Sequence, residues 1–89
     1  MGKKIGIIGF GNMGSAIAER IKDAYEVIVF DKDKEKTGNL RKLTVADGAV
    51  DLVKIVDVLI ISVKPQEFEA VLSEIKPFTK DKLIVSIAA

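Results

Sequence analysis

Apolar residues along this chain switch repeatedly between continuous short runs and a spacing of three to four, and the switches outline its elements. Lys3 to Gly9 (KKIGIIG) runs into unbroken Ile and Gly, as a strand buried on both faces does. From Asn12 onward Met13, Ala16, Ile17, Ile21 and Ala24 recur at helical spacing, with Glu19, Arg20, Lys22 and Asp23 on the other side, which predicts an amphipathic helix. Glu26 to Asp31 (EVIVFD) is a second apolar, β-branched run that ends in an acid. The charged stretch Asp33 to Lys42 has Leu40 as its apolar anchor and predicts a short or irregular helix. Leu43 to Ala46 is a candidate third strand, and Asp47 a candidate N-cap for a helix whose inner face is Ala49, Leu52, Val53 and Val56. Asp57 to Val63 (DVLIISV) predicts a fourth strand. Pro65 opens a helix with Phe68, Val71, Leu72 and Ile75 on one face, Pro77 ends it, and Leu83 to Ala88 predicts a fifth strand.

Strands that alternate with helices imply a parallel sheet, because parallel neighbours need crossover connections. The expected fold class is α/β, a Rossmann-type doubly wound sheet of three αβα layers with strand order 3-2-1-4-5, in a single domain over residues 1–89. Right-handed crossovers put the first helix and the weak segment after strand two on one face, and the two later helices on the other. Strands four and five are then left uncovered on the first face, which predicts self-association through that face or through the free edge of strand five.

Composition narrows the chemistry. Fourteen Lys and Arg against thirteen Asp and Glu give a net charge of +1, so no summed field favours nucleic acid or an anionic membrane, and neither is expected as a partner. The first apolar stretch, broken by Gly6, is too short for a signal sequence or a bilayer span, and a cytoplasmic protein is expected. There is no Cys and no His, which removes thiolate nucleophiles, zinc-thiolate sites and His-dependent triads from this chain and leaves no metal site in view.

The chemical signal lies in the first turn. Gly9-Phe10-Gly11-Asn12-Met13-Gly14 fits G-x-G-x-x-G between a strand and a helix, and Asp31 stands at the end of the second strand, 22 residues after Gly9. In this pattern the first glycine makes the turn, the second lets a pyrophosphate approach the backbone, and the third lets helix and strand pack closely. The anion sits at the helix N-terminus, where unpaired amides and the dipole favour it. Asp31 is the candidate reader of the adenosine 2'-hydroxyl, which tilts the preference toward NADH. Lys32 and Lys34 beyond it would suit a 2'-phosphate if Asp31 turned away, and equally suit a solvated loop, so the cofactor is read as NADH or NADPH. Ser62-Val63-Lys64-Pro65 lies at the tip of strand four, where ligands of open α/β sheets bind.

Three blocks together resemble pyrroline-5-carboxylate reductase: Lys4 to Ile17 (KIGIIGFGNMGSAI), Ser62 to Gln66 (SVKPQ) and Ile84 to Ala89 (IVSIAA). The resemblance implies an oxidoreductase of proline biosynthesis that reduces 1-pyrroline-5-carboxylate to L-proline by hydride transfer. It assigns cofactor contacts to Gly9 through Gly14, to Val63, Lys64 and Pro65, and to Ala88 and Ala89 near the nicotinamide. It also implies a helical domain beyond Ala89 that holds the substrate and dimerises. Without such a domain the chain is expected to be inactive alone, and no residue in it is singled out as catalytic. The first block is shared with a wider group of NADP-linked reductases, including deazaflavin-dependent ones, and a non-catalytic dinucleotide-sensing module is the further alternative.

Overall fold

The computed structural model describes residues 3–38, 40 and 42–87. Its strands are β1 (Lys4–Ile8), β2 (Glu26–Phe30), β3 (Thr44–Val45), β4 (Val58–Ile61) and β5 (Leu83–Ser86), and its helices are α1 (Asn12–Ile21), α2 (Ala49–Ile55) and α3 (Pro65–Ile75). All strand pairs are parallel, in the order β3-β2-β1-β4-β5. The expected doubly wound topology is therefore present.

Pleating divides the core in two, since successive side chains leave opposite faces of a strand. On one face Ile8, Ile28, Leu59 and Ile61 pack against Leu52, Val53 and Ile75 of α2 and α3. On the other, Ile7, Val27 and Val29 pack against Ala18 of α1, with Ile17 and Ile21 at the margin. β1 and β2 have both faces covered, which is why they read as apolar runs without alternation. Among its described residues the charged stretch after β2 forms a 3-10 turn, Lys34–Thr37, in which the Asp33 carboxylate accepts from the Glu35 amide at 3.1 Å.

Two local expectations fail. Met13, Ala16 and Ala24 were placed on the inner face of the first helix, but all three are exposed, and the surface that docks is Gly14, Ile17, Ala18 and Ile21. The helix comes close to the sheet through its smallest residues, and that rotates the larger Met13 away. Asp47 does not cap α2. The extended residue before the helix is Gly48, whose carbonyl accepts from the Leu52 amide at 3.1 Å, and no side chain caps the first turn. Asp47 lies one residue too far upstream for the N-cap geometry. The inner face of α2 is as expected, with Ala49, Leu52, Val53 and Val56 all buried. Of the predicted fifth strand, Ala88 lies outside the described residues.

The two edge strands escape burial, for every residue of β3 and of β5 is exposed. Leu83 and Val85 pair in register with Val58 and Ile60, on the α1 side of the sheet, yet remain 63% and 40% exposed. Among the described residues nothing covers this half of that face.

Candidate functional site

The turn from β1 into α1 rests on glycines that do different work. Gly9 leaves the strand at φ +97°, a region L side chains rarely enter, and a Cβ there would collide with the Ser62 carbonyl at the tip of β4. Its amide donates to the Phe30 carbonyl at 2.8 Å, so the turn stays stitched to β2. Gly14 presses on the Gly9 carbonyl oxygen, and a Cβ would overlap that atom. Gly11 is the opposite case. Nothing lies within 4 Å of where its Cβ would stand, and it faces a cleft.

α1 begins directly behind Gly11 with no side-chain cap and no acid in its first turn. The amides of Asn12, Met13 and Gly14 have no acceptor within the helix, which leaves the positive end of the helix dipole open beside the cleft. That cleft encloses about 1180 Å³ above the carboxyl ends of β1, β2 and β4. It is larger than the roughly 300–1,000 Å³ of drug-sized sites and suits an elongated ligand.

The cleft brings together most of the residues singled out in the sequence. Gly9, Gly11, Asn12 and Met13 line it from the first turn, Asp31 and Lys32 from the end of β2, and Val63, Lys64 and Pro65 from the start of α3. Gly14 is buried beneath the helix, and the Phe10 side chain is packed into the core on the α1 side. Lys34 lies in a smaller neighbouring hollow with Thr37 and Ala46. Ala88 and Ala89 fall outside the described residues.

Asp31 is held more firmly than its position at a strand end suggests. One carboxylate oxygen accepts from the Phe10 amide at 2.7 Å and the other from the Asp33 amide at 2.8 Å. Turning Asp31 away would break both charge-assisted bonds, so its carboxylate stays at the cleft wall. Each oxygen retains a further lone pair, which leaves acceptor capacity for a ligand hydroxyl.

Lys32 is exposed, as a residue of a charged loop would be, and it is also ion-paired. Its ammonium sits 2.7 Å from the Glu67 carboxylate on α3. The hydrogen bond to Glu67, and then its charge, hold the Lys32 ammonium above the ordinary lysine value. Glu67 also lines the cleft, and nothing in the sequence points to it except its place in the first turn of a helix. Ser62 is the second residue without an assigned role. Its hydroxyl is buried with no hydrogen-bond partner among the described residues, a state that costs about 1–3 kcal/mol. The open space at Gly11 and the uncapped α1 fit a phosphate-bearing ligand. Among the described residues no group of acids could hold a metal ion, and no helix is long and apolar enough to cross a membrane.

The family model described as "NADP oxidoreductase coenzyme F420-dependent" matches residues 4–89. A pyrroline-5-carboxylate reductase of Methanosarcina acetivorans is 42% identical over 101 residues, covering 98% of this chain and 36% of the relative. One from Escherichia coli is 38% identical over 98 residues, covering 100% of this chain and 36% of the relative. Among solved structures, the Plasmodium falciparum pyrroline carboxylate reductase with NADP bound superposes with a TM-score of 0.85 at 28% identity, covering 97% of this chain and 33% of that one. The chain thus spans about a third of the length of the relatives it matches.

Proposed function

We propose, from the premise that the chain belongs to the family described as NADP oxidoreductase coenzyme F420-dependent, that it forms the nicotinamide-dinucleotide-binding part of an oxidoreductase that reduces a C=N bond. The substrate we assign is 1-pyrroline-5-carboxylate and the product L-proline, as the names of its relatives suggest. The observation that carries the cofactor assignment is the open space over Gly11 at the uncapped start of α1, in a turn whose other two glycines are packed shut.

In this reading the amides after Gly11 bind the pyrophosphate, without a basic side chain. Asp31, fixed by its two backbone bonds, accepts from the adenosine ribose and disfavours a 2'-phosphate, so NADH is preferred over NADPH. Val63, Lys64 and Pro65 form the opposite wall. Ala88 and Ala89 are assigned to the nicotinamide end from the resemblance alone. When bound, the reduced nicotinamide supplies a hydride to the imine carbon, and the imine nitrogen takes a proton. The residues of this chain position the cofactor, and none of them is assigned to hold the imine. The location we assign is cytoplasmic, and the exposed Leu83 and Val85 motivate self-association through that half of the sheet.

The test is titration of the purified chain with NADH and NADPH, read by cofactor fluorescence, followed by an imine-reduction assay with 1-pyrroline-5-carboxylate. We expect both cofactors to bind, NADH more tightly, and imine turnover only when a substrate domain is supplied. Absence of binding by either cofactor overturns the assignment. The family description also names coenzyme F420, and hydride transfer from NADH or NADPH to oxidised F420 but not to the imine would move the substrate assignment to that chemistry.

A further inference from the structure

The Lys32–Glu67 pair bridges two walls of the cleft that are not neighbours in the sheet. Lys32 follows β2 and Glu67 follows β4, and β1 lies between those strands, so the anchor points are separated by roughly two inter-strand spacings, about 10 Å. The ion pair therefore links the segments that follow β2 and β4 across the end of β1. Its exposure is unequal. Lys32 is 75% exposed while Glu67 is 32% exposed, which places the carboxylate on the more protected side.

We propose that Glu67 is a specificity-determining residue that disfavours a 2'-phosphorylated dinucleotide by occupying Lys32, the cation such a phosphate would need. This rests on the dinucleotide assignment above. A 2'-phosphate carries about −1.5 to −2 charge near neutral pH and is stabilised by a cationic partner. Here the first lysine beyond the ribose-reading acid already has a carboxylate at 2.7 Å. A phosphate drawn to that ammonium must displace Glu67 or accept it as a like-charged neighbour, with the fixed Asp31 carboxylate close by. A 2'-hydroxyl meets neither obstacle. Discrimination thus comes from a repulsive element on α3 as well as from the acid at the end of β2. Lys36 also lines the cleft and is not ion-paired with Glu67, so Glu67 withholds Lys32 alone and its effect is a bias against the 2'-phosphate rather than a block.

The experiment measures dissociation constants of the chain for NADH, NADPH and adenosine 2',5'-bisphosphate in the unmodified form, Glu67→Gln, Lys32→Gln and the double variant. Glu67→Gln keeps the side-chain size and removes the charge. It is expected to tighten NADPH and the bisphosphate about five- to twenty-fold, the effect of one charge at a partly screened distance, and to leave NADH within about two-fold. The gain should vanish in the double variant, because it acts through Lys32. Equal shifts for NADH and NADPH, weaker NADPH binding in Glu67→Gln, or a gain that persists without Lys32 would each overturn the proposal while leaving dinucleotide binding intact. Failure of the unmodified chain to bind any of the three ligands would instead overturn the dinucleotide assignment, and the proposal with it.

Discussion

The α1 side of the sheet has two halves built from similar residues with opposite fates. Over β1 and β2, Ile7, Val27 and Val29 are buried under α1, whereas over β4 and β5, Leu83 and Val85 stand open. Hydrophobicity does not separate them. The difference is the helix, and the helix sits where it does because Gly14 and Ala18 let it approach the strand. The closed half thereby carries the buried cluster of this face, while β5 contributes neither to that cluster nor to the cleft.

Substitutions should separate the halves sharply. Gly14→Val places a branched side chain on the Gly9 carbonyl oxygen and against Ile7, so it should cost about 3 kcal/mol or more and lower the urea midpoint. An unchanged midpoint would mean that α1 does not dock through this residue. Asp31→Asn keeps the shape but has one acceptor where Asp31 has two, so its amide nitrogen must face the Phe10 or the Asp33 N–H and one of the two bonds is lost, at a cost of about 1–3 kcal/mol. The same variant should lower the ratio of the NADPH to the NADH dissociation constant, and a ratio that stays constant would remove Asp31 as the ribose reader. In the open half, Leu83→Lys with Val85→Lys should change stability by no more than about 0.5 kcal/mol, since neither side chain is buried. Sedimentation should show this pair of substitutions shifting the chain toward monomer. A loss of several kcal/mol, or no change in association, would break the contrast between the halves.

What was legible in the sequence follows from what is local. The strand order rests on alternation of elements and handedness, and the glycine turn on spacing within six residues, so both could be read directly. The docking face of α1 was misread because close approach selects small residues, and a pattern that counts apolar side chains looks past Gly14 and favours Met13. Asp47 was misread as a cap because glycine also serves at that position, and Gly48 stands one residue nearer the helix. The Lys32–Glu67 pair joins residues 35 apart across an intervening strand, and the Asp31–Phe10 bond joins the tips of two strands. Neither leaves a periodic trace in the chain. Such contacts appear only once the tips of β1, β2 and β4 share one end of the sheet.

The most direct measurement of the central claim is cofactor affinity of Gly11→Val beside its thermal or urea unfolding. A Cβ at Gly11 meets no protein atom within 4 Å, so the fold should be retained to within about 1 kcal/mol. The branched side chain would occupy the cleft where a pyrophosphate must approach the helix amides, so affinity for both NADH and NADPH should fall by about a hundredfold or more. A folded Gly11→Val variant that binds either cofactor as tightly as the unmodified chain would contradict the account.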